Sequence, residues 1–382
     1  MLIRGDFRYS RRLSIVLHRF CSAFCVLAFL KVTLPGDRKK QVCDQATLAW
    51  AKGHVQSVLQ PFERNQFDLS DVHDSFMKLR SDAETAKKFF LVTTSSIGRT
   101  VEFSQDNIDD FTTACKTQLL TRLKRIQQVE TLPNTAFIFS SLAALSQIGN
   151  TSVKAPIFSA CSKETDASHI YIPRAAPHWS SRNLDDRSAA DFKWKESKVF
   201  FRGSLSGIER ALLFKNFAHQ SKYVDVAMTS VPEGASCDEQ RTRWCEGLPA
   251  KWVAENMIEK GEYVSMNMAA SLYRYVLSVD GVGCADRLPA LLSSNTIVFK
   301  SESELREFWY RDLVPYVHYI PVKSDFSDLL LQVEVVSKWS LSKQKSIISS
   351  ANAYVQTHLS ENSLDCYMIT LLREYARIVQ YQ

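Results

Sequence analysis

From Lys198 onward the chain alternates short apolar runs with amphipathic stretches, and no other feature constrains its fold as strongly. Val199–Arg202, Tyr223–Met228, Tyr275–Asp280, Thr296–Lys300 and Val317–Val322 read as buried strands. Helical patterns run between and after them, to about Ala218 and over Met266–Tyr273, Asp286–Leu292, Ser303–Phe308, Phe326–Lys338, Ser342–His358 and Ser363–Ile378. Strand followed by helix, repeated, predicts a parallel, Rossmann-like sheet with helices on its faces. A similar block precedes it, with helices over Asp44–Gln60, Ser70–Arg80 and Asn107–Gln128 and buried strands Phe89–Thr94 and Thr135–Ser141. The stretch Pro156–Lys195, rich in Pro, Ser, His and Trp, reads as an irregular connection. The expectation is an α/β chain with domains over 41–195 and 196–382 behind a basic leader of residues 1–40.

In an open parallel sheet, ligands bind beyond the carboxyl ends of the strands. The stretch VFFRGSLSGIERALL, Val199–Leu213, places small and cationic residues at such an end. Gly203 lets a phosphate approach the backbone, Ser204 and Ser206 supply hydroxyl donors, and Arg202 and Arg210 each carry a fork that fits phosphate oxygens. The following helix points its positive N-terminus at the same place. A second junction, YVLSVDGVGCADRLPALLSSNTIVFK, repeats the design with a glycine-bearing loop and Arg287. Two cationic loops on adjacent strand ends would converge on one diphosphate. Its two glycines fall short of a G-x-G-x-x-G fingerprint, which weakens a dinucleotide-dependent oxidoreductase reading. No Asp-x-Asp occurs, and the adjacent pairs Asp109–Asp110 and Asp185–Asp186 read as solvated surface, so no metal is expected. Arginines and helix dipoles would then offset the diphosphate's charge.

Charge and cysteine content bound the setting. Net charge is +6, yet the first forty residues hold nine Lys or Arg against two Asp, leaving the remainder near −1. A basic tail on a neutral body does not make a nucleic-acid-binding face. Basic residues followed by the apolar run Phe20–Leu30 read as a secretory signal or short signal anchor, or else as a soluble basic leader. Seven of the nine cysteines lie outside that run without zinc-like spacing, and Asn150 opens the sequon NTS. Both fit an oxidising lumen. The C-terminal IVQYQ is not an endoplasmic-reticulum retention tail.

FFRGSLSGIER, YRYVLSVDGVGCADRLPALLSSNTIVFKSES and FWYRDLVPYVHYIPVKSDFSDL, in this order, resemble glycosyltransferase family 90, the capsule-associated and protein O-glucosyltransferase (Rumi-like) group. The resemblance runs from about Leu132 to the C-terminus. It implies a GT-B-like fold of two facing Rossmann-like domains with a C-terminal helix. It also implies metal-independent, inverting transfer from UDP-glucose or UDP-xylose to a protein or glycan hydroxyl. The setting it implies is the lumen of the endoplasmic reticulum or Golgi, with the chain there as a type II membrane protein if its leader anchors it. On the family pattern Arg202, Gly203, Ser204, Ser206, Arg210 and Arg287 line the donor diphosphate, while Asp280 and His318–Val322 shape the same cleft. One departure stands out. Where the family pattern carries its base aspartate, LPNTAFIFSSLAAL, Leu132–Leu145, places Ala143, and the pattern's asparagine becomes Ser140. Glu164, Asp166 and His169 are the candidate substitutes; without one, the chain would be a lumenal pseudoenzyme that binds UDP-sugar or glycan. SLDCYMITLLREYARIV resembles the family's last helix, which implies a Cys43–Cys366 bridge contributing on the order of 4–5 kcal/mol.

Overall fold

The computed structural model describes residues 42–63, 67–81, 86–97, 99–104, 110–141, 153–166, 168–174, 191–218, 222–230, 255 and 264–379. Residues 40–382 form one compact unit, and the basic leader with its apolar run lies outside the described residues. Among the described residues no helix is long and apolar enough to cross a membrane.

The first block begins with helix α1, Gln45–Leu59, capped where Asp44 accepts the Thr47 N–H at 2.7 Å. Helix α2, Leu69–Arg80, opens on a reciprocal capping box between Asp68 and Asp71. Strands β1, Phe89–Ser95, and β2, Thr100–Phe103, pair antiparallel. Helix α3, Asp110–Gln127, leads to β3, Thr135–Ser140, which runs antiparallel to β1. The connection expected to be irregular contributes β4, Ile157–Ser159, β5, Ser162–Lys163, and β6, His169–Tyr171. Strands β4 and β6 extend the sheet in parallel beyond β3. Ile157, Phe158 and Ile170 are almost wholly buried, so burial holds strands too short to show a period.

The second sheet is parallel throughout, built from β7, Glu196–Ser204, β8, Val224–Ser230, β9, Tyr273–Ser278, β10, Ile297–Ser301, and β12, Ile320–Val322. Their spatial order is β12-β10-β9-β7-β8. The chain therefore leaves β7 in one direction and later adds β9 on its other side, which makes the gap between β7 and β9 the topological switch point. Helices α4, Ile208–Phe217, α5, Met266–Leu272, and α6, Leu288–Leu292, follow or precede these strands. Val199 and Phe201 of β7 face one core with Phe214 and Leu277, while Phe200 turns to the opposite face against Tyr273. The helix expected over Ser303–Phe308 is instead β11, Leu305–Arg306, antiparallel to β5. Ser303 Oγ takes the Leu305 N–H at 3.0 Å, and pairing with Lys163 overrides the local helical pattern.

Helices α7, Leu329–Ser337, α8, Leu341–His358, and α9, Glu361–Ile378, close the chain. Helix α9 returns to the first sheet. Tyr367 and Tyr375 donate to the carbonyls of Tyr171 and Ala136 at 2.7 and 3.3 Å, and Cys366 is bridged to Cys43 before α1. The bridge implied by the family resemblance is thus present.

Asp312, in the short turn after β11, forms a polar hub with α1 and α8. Its Oδ2 accepts from Trp50 Nε1 at 2.9 Å and Tyr354 OH at 3.0 Å and pairs with His54 Nε2 at 2.8 Å. Partial burial opposes ionisation, but the His54, Trp50 and Tyr354 donors outweigh it and bring the carboxyl down to about 2. A carboxyl depressed below its ordinary 3.8 stabilises the fold above that pH and loses its contribution as pH falls toward 2. Asp312→Asn is therefore expected to flatten the stability-versus-pH curve between those values, as read by urea unfolding across pH. An unchanged curve would show that the hub carries no pH-linked stability.

Candidate functional site

The two glycine-bearing junctions meet at the carboxyl ends of β7 and β9. The β7–β8 register shifts between Gly203 and Ser204, where β8 carries the extra residue Thr229, and the ladder resumes with Ser204 opposite Ser230. Gly207, at φ 115°, then starts α4 without a side-chain cap. That backbone suits glycine. A Cβ on Gly207 would lie 3.2 Å from the Gly281 carbonyl carbon, and one on Gly281 would meet Ser206 Oγ at 2.6 Å. The loops touch through their glycines, an approach that larger residues would block.

Two arginines sew this contact together. Arg210 Nη1 donates to Ser206 Oγ at 2.9 Å and to the Ser204 carbonyl at 3.3 Å, while Nη2 reaches the Val279 carbonyl at 3.0 Å. Arg287 crosses the other way, and its Nη1 donates to the Arg202 carbonyl at 2.6 Å. Both guanidinium groups lie over the Phe201 ring, at 5.7 and 5.3 Å. Arg210 is 7% exposed, its Nε is buried without a partner, and among the described residues its guanidinium bonds only neutral oxygens. Burial pushes its guanidinium down to about 10, with the like charge of Arg287 adding to the effect. It is still charged at neutral pH.

Arg202 behaves differently. Its side chain lies on the sheet face, donating to Asp225 Oδ1 at 2.6 Å and the Asp225 carbonyl at 2.9 Å, with its guanidinium 4.6 Å from the Phe200 ring. Tyr273 OH donates to the other Asp225 oxygen. Strand parity explains this, because Arg202 shares the face of Phe200 while Gly203 shares that of Phe201. Arg202 thus meets the second arginine through its backbone carbonyl.

Asp280 sits between the junction and a neighbouring groove. It is 4% exposed, its Oδ1 accepts the Ala285 N–H at 2.7 Å, and its Oδ2 is buried with no donor. The groove, of about 350 Å³, opens at the carboxyl end of β10 beside β12 and is lined by Lys300, Glu302, Arg306, Tyr310, Tyr319 and Pro321, among others. Burial pushes the Lys300 ammonium down and attraction by Asp280 opposes this; its Nζ lies 4.9 Å from the Tyr310 ring. Tyr310 OH is buried without a partner. Of the HYIPV segment, Tyr319 and Pro321 line the groove, whereas His318 accepts the Val314 N–H and turns to Tyr354. Lys300, Arg306 and Tyr310 were not among the residues expected at a site. A lone lysine ending a strand carries no motif, and only the fold shows that β10, β11 and the turn after it bring Lys300, Arg306 and Tyr310 to one groove.

The base position, Ala143, lies outside the described residues. Ser140 is buried at the end of β3. Of the candidate substitutes, Glu164 is surface-exposed beside Arg306 at 3.5 Å. Asp166 accepts from Ser162 Oγ and from the Ser168 N–H and Oγ. His169 packs against Tyr171 and Ser159, and burial holds its imidazole down to about 4, with Asp166 opposing, so the ring is neutral at pH 7. Among the described residues no cluster of three or more His, Cys, Asp or Glu is arranged to hold a metal ion.

A parallel sheet with paired arginines at its switch point defines an α/β protein with a cationic junction at its strand ends. The sequence model of glycosyl transferase family 90 matches residues 109–382, most of the chain, and the chain belongs to that family. It is 39% identical over 106 residues to Protein O-glucosyltransferase 2 of Danio rerio, covering 28% of this chain and 21% of that protein. It is 30% identical over 197 residues to Protein O-glucosyltransferase 1 of Rattus norvegicus, covering 51% and 46%. Against the O-glucosyltransferase rumi homolog of Aedes aegypti it is 28% identical over 215 residues, covering 55% and 49%. The chain thus spans about half, or less, of the length of these relatives.

Proposed function

We propose that this protein is a UDP-sugar-dependent, metal-independent, inverting glycosyltransferase that moves glucose or xylose to a protein or glycan hydroxyl. One observation carries the donor reading: Arg210 is a buried cation whose hydrogen bonds go only to neutral oxygens among the described residues, with Asp280 attracting it from beyond ion-pair distance, held beside Arg287 at the switch point. An unpaired buried charge is costly, and a diphosphate would supply the missing counter-charge. The uncapped N-terminus of α4 favours the same anion. The orphaned Asp280 Oδ2 would accept a donor hydroxyl, and the adjacent groove is large enough for the sugar or ribose. In the transfer, the acceptor oxygen bonds to the sugar's anomeric carbon as its proton passes to a base. The bond to the β-phosphate breaks, and UDP leaves with the electron pair, its charge offset by the arginines. Residues 196–382 would hold the donor and 41–195 face the acceptor. The two bridges fit a secretory lumen, reached through a signal or anchor in the leader.

A second reading, donor binding without transfer, is favoured by Ala143 at the family's base position. It is also favoured by the environments of Glu164, Asp166 and His169, none of which is a partially exposed, unengaged group facing the junction. Calorimetric titration of UDP into the full chain tests what the two readings share. Saturable binding is expected, weakened about 10- to 100-fold in Arg210→Ala, the loss of one charge-assisted contact. A folded protein that takes no UDP would end both. Turnover from UDP-glucose or UDP-xylose then separates them: sugar transfer that appears on Ala143→Asp identifies a transferase lacking only its base, whereas transfer by the unaltered chain requires a substitute base. No transfer by either form selects the binding protein.

A further inference from the structure

The donor loop is held from the opposite half of the molecule. Cys284, three residues before Arg287, is bridged to Cys161 of the turn between β4 and β5. Arg174, just beyond β6, donates to the Cys284 carbonyl at 2.8 Å and pairs with Glu307 at 2.7 Å. Glu307 is itself buried and accepts from Trp309 Nε1 at 3.0 Å. Directly after Cys161, β5 pairs with β11, and Lys163 meets Glu304 at 2.7 Å. The segment Cys161–Glu164 is thus a strap from the first sheet that reaches both the Asp280–Arg287 loop and the strand beside the Lys300 groove.

We propose that Cys161 and Cys284, with Arg174, are positioning residues that preset the Asp280–Arg287 loop for the donor diphosphate. This rests on the donor reading above. The loop contains Gly281 and Gly283, the residues with most conformational freedom to lose. Its site-forming contacts include the close approach of Gly281 to Gly207 and Ser206, Asp280 Oδ1 on the Ala285 N–H, and Arg287 on the Arg202 carbonyl and the Phe201 ring. A covalent tie at Cys284 removes alternatives to that arrangement before the ligand arrives, so less ordering remains to oppose binding. Cys161 and Cys284 are 1% and 6% exposed, which makes the bridge a fixed strut shielded from thiol attack.

The test compares the full chain with Cys161→Ala/Cys284→Ala and with Cys43→Ala/Cys366→Ala, by UDP titration and by hydrogen exchange of peptides spanning 280–288. Loss of the inner bridge is expected to weaken UDP roughly tenfold and to speed exchange in those peptides. Loss of the outer bridge is expected to lower thermal stability and leave UDP affinity unchanged. Unaltered affinity without the inner bridge overturns the proposal, whether or not exchange speeds up. Equal weakening in both variants also overturns it, because general stability would then explain the effect. If Cys161→Ala/Cys284→Ala does not fold, Arg174→Gln, which keeps the bridge and removes the guanidinium brace, must reproduce the affinity loss and faster exchange, or the proposal falls. An unaltered chain that binds no UDP refutes the donor reading itself. Exchange in the inner-bridge variant then shows separately whether the bridge orders the loop.

Discussion

Replacing Asp365 with alanine is expected to remove about 3–5 kcal/mol of folding free energy. The carboxylate lies on α9, 3% exposed, and serves two cations of α3. Arg122 Nη1 donates to Oδ1 at 2.6 Å; Arg125 donates through Nε to Oδ2 at 2.5 Å and through Nη2 to Oδ1 at 2.7 Å. Arg122 is almost wholly buried, and burial pushes its guanidinium down while Asp365 holds it up. Arg125 is shifted the other way, raised chiefly by its hydrogen bonds to Asp365. Removing the carboxylate takes away the hydrogen-bonded counter-charge of the buried Arg122, and its desolvation penalty is then less well balanced. Asp365→Asn keeps one acceptor and should lose less. Urea unfolding of the three proteins measures the difference. A loss below about 1 kcal/mol for the alanine variant would place this cluster with exposed ion pairs, whose worth is of that order. Relative to a total stability of about 5–15 kcal/mol, the expected loss is large enough to deplete the folded chain.

The contrast between Asp365 and the donor junction shows what a sequence makes legible. VFFRGSLSGIER and VDGVGCADR announce themselves because each joins a run of buried residues to glycine and arginine within a dozen positions, and local pattern fixes strand, turn and helix together. The five parallel strands of the second sheet follow from the same local signals. The orientation of Arg202 was also legible in principle, since period-two alternation puts it with Phe200 and not with Phe201, but spacing to Gly203 drew attention to the strand end. Strands β4, β6 and β11 carry only two or three residues each and exist through their partners, so no local period betrays them. Asp312 with His54, Asp365 with Arg122, and Cys161 with Cys284 join residues more than a hundred positions apart, where no spacing rule applies. Cys43 and Cys366 were paired only because the last helix resembles that of a known family.

Removing that outer bridge, by Cys43→Ala/Cys366→Ala, is expected to lower stability by about 5 kcal/mol. The bridge closes a loop of 323 residues, and in the chain-entropy model the stabilisation grows with the logarithm of that length. The inner bridge modifies the value. It short-circuits 123 of those residues in the unfolded chain, so the outer bridge closes a smaller effective loop and contributes about 0.4 kcal/mol less than it would alone. The two bridges should therefore be slightly sub-additive in a double cycle. Native packing enters as well. Cys366 is fully buried beside Asp365, and α9 holds Tyr367 and Tyr375 against the first sheet, so loosening its N-terminal turn acts on the same contacts that Asp365 secures. Combining Asp365→Ala with loss of the outer bridge is expected to cost less than the sum of the two, because either change alone already frees the start of α9. Non-reducing urea unfolding of the single and combined variants measures both effects. Full additivity would mean that the ion cluster and the bridge stabilise independent parts of the helix, and a loss under about 1 kcal/mol for the bridge would mean that the unfolded chain is compact enough to gain little freedom when it is cut.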